Sequence, residues 1–132
     1  MEEIAEGVFV ETTLDDDIQI IKLKSVARSS IDAWSKHITD LLLGWQAEKP
    51  YLMMYDFTDP KVSFTAYIRQ KSSEMHALRP DVTGKIGVVM LRNTGNYLVM
   101  LFAQLRPRAA RQIKIFFDRE SAMAWLNDRT LP

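Results

Sequence analysis

YLMMYDFTDPKVSFTAY, Tyr51 to Tyr67, is the stretch on which the fold turns. Its first seven residues are almost unbroken apolar. Met53 and Met54 point to opposite sides of an extended chain, so this strand is covered on both faces, as a central parallel strand is. Asp56 and Asp59 fall at or just past its carboxyl end, and Pro60 breaks the pattern. Ser63 stands where an N-cap would start a helix carrying Phe64, Tyr67, Ile68, Met75 and Leu78, with Pro80 closing it. In an α/β domain, ligands and partners are usually met at such a strand-to-helix junction.

Upstream, Ile31, Trp34, Ile38, Leu41, Leu42 and Trp45 fall on one helical stripe. Ser29 or Ser30 is the expected N-cap, Ser29 with Asp32 approaching a capping box. Gly44 is an internal weak point and Pro50 the expected stop. Before this helix, Gly7 to Thr13 and Ile18 to Lys24 alternate in period two around Asp15-Asp16-Asp17, which predicts an antiparallel hairpin. Downstream, Lys85 to Leu91 reads as another doubly buried strand and Asn93 to Asn96 as a turn. Tyr97 to Leu105 reads as an apolar helix ended by Pro107, and Ile113 to Phe117 as the last strand. Asp118 caps a final helix with Met123, Trp125 and Leu126. The expected order, β-β-α-β-α-β-α-β-α, specifies one α/β domain over residues 1–132, a mostly parallel sheet of about five strands flanked by helices.

The chain has 132 residues and no cysteine, which excludes disulfides, thiolate metal sites and cysteine nucleophiles. With no apolar signal core and no run long enough to span a bilayer, a cytoplasmic protein without a membrane span is expected. Net charge is zero but unevenly spread. The residues before Lys22 carry acids and no Lys or Arg; those between Asp81 and Asp118 carry Lys85, Arg92, Arg106, Arg108, Arg111 and Lys114 and no acid. This asymmetry suits two solvated surfaces, head-to-tail association, or an anion at the basic end. Arg106, Arg108 and Arg111 are the candidate anion contacts, with a solvated helix end as the default. Neutral overall charge argues against nucleic acid.

The element order, and the ending Phe116-Phe117-Asp118-Arg119-Glu120-Ser121-Ala122-Met123-Ala124-Trp125-Leu126, resemble the STAS fold of the SpoIIAA-like anti-sigma-factor antagonists. The resemblance implies a non-enzymatic regulatory or protein-interaction module with a protein partner or a second copy of itself. In that family a kinase phosphorylates a Ser or Thr at the helix start after the third strand. Asp56-Phe57-Thr58 matches the opening of the motif, and the positional matches to the acceptor are Ser63 and then Thr65. Its Asp-Ser pair and Gly are absent here. The implied interaction surface is Asp56, Thr58, Asp59 and Ser63. A related, Sec14-like branch implies the alternative of a carrier for an apolar or amphipathic ligand, its pocket lying between the sheet and the helices at 64–78 and 97–105.

Other chemistry is poorly supplied. Asp56 and Asp59 lack a further acidic partner for a metal and suit turn capping better. His37 and His76 are far apart and match no ligand spacing. No phosphate-cradling or nucleophile-elbow glycine pattern occurs. Neither a cofactor nor an enzymatic activity is expected.

Overall fold

The computed structural model describes residues 1–13, 17–93, 95–96 and 110–128. Among them are six strands and three helices: β1 (Glu2–Ala5), β2 (Val8–Thr12), β3 (Gln19–Leu23), α1 (Arg28–Leu43), β4 (Tyr51–Phe57), α2 (Ala66–His76), β5 (Gly84–Met90), β6 (Arg111–Phe116) and α3 (Arg119–Asn127). The strands form one sheet in sequential order, β1-β2-β3-β4-β5-β6. The first three are antiparallel to one another, and β3 to β6 are parallel. The proposed apolar helix at 97–105, with Arg106 and Arg108, lies outside the described residues.

The central strand is as the sequence predicts. Every residue of β4 is buried, and the period-two pleat divides them. Tyr51, Met53, Tyr55 and Phe57 join the larger core cluster with α1 and α2. Leu52 and Met54 join a smaller cluster under Ala122 and Leu126 of α3. Among the described residues, the sheet therefore has a front face under two helices and a back face under one. Trp34 of α1 anchors the front, fully buried, its ring edge-on to Tyr55 at 5.4 Å and tilted at 63° to Phe57 at 5.7 Å.

Three local expectations change. The acidic N-terminus contributes β1, a sixth strand, joined to β2 through Gly7 at φ +75°. A Cβ there would lie 2.6 Å from the Cβ of Ser25, so the turn requires glycine. Glu2 and Glu3 mask the strand pattern, and charge on an edge strand discourages pairing with other chains. Next, neither Ser29 nor Ser30 caps α1. Its N-cap is Ala27, with no side-chain cap. Ser30 is buried and donates to the carbonyl of Glu6 at 2.6 Å, tying the helix to the β1–β2 turn. Lastly, α1 ends at Leu43. Gly44 is its C-cap rather than an internal residue, which leaves Trp45 beyond the helix, edge-on to Tyr51 at 5.0 Å.

Candidate functional site

The residues expected to share the junction after β4 go to different places. The parity of the strand turns Asp56 to the back face, away from α2 and toward α3. It is 2% exposed. Its Oδ1 accepts from the Thr58 N–H (3.0 Å) and the Thr58 hydroxyl (2.6 Å), and its Oδ2 from Nε of Arg119 (2.9 Å). Burial pulls the carboxyl upward, but the two Thr58 hydrogen bonds and the Arg119 guanidinium more than offset this. The carboxyl is held below its ordinary range. Asp56 is thus a buried, ion-paired group and not part of an open interaction surface. Asp59 is half-buried and closes a turn by accepting from the Lys61 N–H at 2.9 Å.

Ser63 is exposed and sits in the loop before α2. The N-cap is Thr65, two residues later, whose Oγ1 accepts from the Ile68 N–H at 3.2 Å. The sequence pattern places the cap at Ser63. The choice falls on Thr65 because α2 starts where Ile68 and Met75 reach the front core.

Arg111 corrects a second expectation. It is the first residue of β6, is 1% exposed, and turns to the front face instead of joining a solvated basic patch. Its Nη1 donates to the carbonyls of Arg79 and Val82, both at 3.0 Å. Its Nη2 donates to those of Met75 (3.3 Å), His76 (3.4 Å) and Leu78 (2.7 Å). It therefore closes the C-terminal end of α2, where unpaired carbonyls carry the negative pole of the helix. Burial pulls its guanidinium below the ordinary value. Its Nε is buried without a partner.

The concave feature of the front face is a cavity of about 210 Å³ between α2 and the sheet. Its floor is largely apolar: Tyr55 and Phe57 of β4, Ile86, Val88 and Met90 of β5, Ile113 and Ile115 of β6. Its other walls bring Arg69, Ser72, Met75 and His76 from α2, Phe64 from the preceding loop, and Arg111 from the end of β6. Arg69, Ser72 and His76 recur at i, i+3 and i+7, one polar stripe on the helix. The sequence placed Phe64 and Met75 on the apolar side of this helix. It did not single out Arg69 or Ser72, because their meaning comes from the strands opposite.

No protein-family model matches the sequence, and no curated protein matches it. The fold is SpoIIAA-like, an α/β sheet of the STAS type. It is similar to a crystal structure of an uncharacterised protein of the DUF3478 family, with a SpoIIAA-like fold, from Shewanella loihica PV-4. The similarity has a TM-score of 0.61 at 14% identity and covers 90% of this chain and 91% of that one. At that identity the likeness speaks to the fold alone. Among the described residues, no helix is long and apolar enough to cross a membrane.

Proposed function

We propose that this chain is a non-enzymatic binding domain that holds a small apolar or amphipathic ligand between α2 and the sheet. The observation that carries the reading is the cavity itself. Close packing leaves few hollows larger than a water molecule, whereas a partly open one of about 210 Å³ lies here over seven residues of β4, β5 and β6. An apolar pocket with a few convergent polar groups is the usual form of a small-molecule site. A binding role is also favoured over catalysis because Asp56, the strand-end acid, is committed to Thr58 and Arg119.

A native mass spectrum of the purified protein, set against its denatured mass, tests this directly. Extra non-covalent mass per chain is the expected result. A folded Val88→Phe variant, which grows a side chain into the cavity from its floor, is expected to lose that mass. Retention of the ligand by the filled variant would remove the cavity from the proposal.

A second reading, the regulatory module with a protein partner or a second copy, is supported by exposed groups at one end of the sheet. Ser63 follows β4 there, and Leu91, 38% exposed, follows β5. If Ser63 is a phosphorylation switch, Ser63→Asp changes partner binding or self-association in an affinity-capture or ultracentrifugation experiment. Indifference to both Ser63→Asp and Ser63→Ala would end the switch.

A further inference from the structure

We infer that the ligand of this cavity is a small anionic amphiphile, a monocarboxylate on an apolar body of about eight carbons or fewer, with its carboxylate at Arg69. The inference rests on the ligand-binding reading above and adds the chemical class. Size is the first argument. A cavity of about 210 Å³ exceeds the roughly 150 Å³ hole that accepts benzene, and scaling from benzene's six carbons gives about eight. It falls below the roughly 300 Å³ at which pockets for drug-sized ligands begin. A two-chain lipid does not fit within it.

Charge is the second argument. None of the described residues lining the cavity is acidic, while Arg69, His76 and Arg111 line it. Arg111 forms no contact ion pair among the described residues; its buried positive charge is met mainly by backbone carbonyls, with the Tyr51 ring 5.9 Å away and Asp81 acting at longer range. The Arg69 guanidinium makes no side-chain hydrogen bond or ion pair among the described residues. A planar guanidinium at the rim, one turn from the Ser72 hydroxyl, provides the fork and the extra donor that a carboxylate accepts. An apolar body on the β5–β6 floor and a carboxylate on the Arg69–Ser72 stripe fill both halves of the site.

The test is a calorimetric titration of the wild type and Arg69→Gln with octanoate, octan-1-ol and palmitate, each below its aggregation threshold. Octanoate is expected to bind the wild type about tenfold more tightly than octan-1-ol, the worth of one charge-assisted hydrogen bond. Arg69→Gln is expected to weaken octanoate by about the same factor and to leave octan-1-ol within about twofold. Equal binding of octanoate and octan-1-ol overturns the anionic head group, as does an octanoate affinity unmoved by Arg69→Gln; in both cases the apolar carrier stands. Palmitate binding more tightly than octanoate overturns the size class, again with the carrier intact. Failure of all three to bind the wild type removes the carrier reading itself.

Discussion

The two ends of the sheet solve one electrostatic problem with opposite charges. At the amino ends of β4, β5 and β6, the helices end and leave unpaired carbonyls. Each of the three described helices is closed by a cation. Arg79 donates to Leu42 and Leu43 of α1 (3.0 and 3.2 Å), Arg111 to the end of α2, and Lys85 to Trp125 of α3 and to its C-cap Asp128. Arg79 takes φ +50° to do so and forks onto Asp81 with Nε and Nη2. At the carboxyl ends, oxygen acceptors face N–H groups: Thr65 caps α2, Asp118 accepts from Ser121 N–H at 2.7 Å to cap α3, and Asp56 binds Thr58. Helices that run antiparallel to parallel strands force this arrangement, because it gathers their negative poles at one end and their positive poles at the other. The uneven charge of the sequence is therefore partly internal. Lys85 and Arg111 are buried helix closures, whereas Arg69, unremarkable in sequence, is the cation at the rim of the cavity.

The largest break in this comparison is expected at the cationic end. Arg111→Met leaves the carbonyls at the end of α2 without their donor inside the core. It should lower stability by about 3 kcal/mol, read as a fall in the urea midpoint. Arg111→Lys keeps the charge but not the fork and should recover only part of the loss. An Arg111→Met variant as stable as the wild type would show that water reaches those carbonyls.

At the acidic end the effect is smaller and depends on pH. Asp56 is held below its ordinary carboxylate value in the folded state, so its ionised form stabilises the fold above the unfolded pKa, near 3.9. That contribution is lost as pH falls through the lower, folded value. Asp56→Asn is expected to cost about 1.5–3 kcal/mol at pH 7, and the gap to wild type should close as pH falls below about 4. A gap that stays constant over this range would mean that the Thr58 and Arg119 contacts contribute by shape and not by charge.

The smallest test separates two neighbouring hydroxyls. Thr65→Ala should cost about 1 kcal/mol by removing the cap of α2, and Ser63→Ala should stay within about 0.5 kcal/mol. Thermal unfolding of the two variants side by side decides it. Reversed magnitudes would return the cap to Ser63.

Much of the architecture was legible because burial on both faces leaves a mark in one dimension. Met53 beside Met54 can occur in a strand only if both sides are covered, and Asp118 before an amphipathic run is a cap with a local mechanism. The edge strand β1 was hidden because its glutamates face water and carry no alternation. Asp56, Asp59 and Ser63 looked like one surface because they are close in sequence. A strand's parity sends Asp56 to the back of the sheet, and sequence proximity does not encode that.

The sequence by itself determined the class of fold, the central strand, the β2–β3 hairpin and the cap of the last helix, since each follows from contacts between near neighbours. Only the tertiary structure decided which face each strand-end group meets, which hydroxyl caps α2, and that Arg111 seals a helix instead of meeting solvent. It alone also placed Arg69 and Ser72 opposite the floor of β5 and β6. These depend on pairs such as Arg111 with Met75 or Arg119 with Asp56, separated by tens of residues and brought together only when the sheet is assembled.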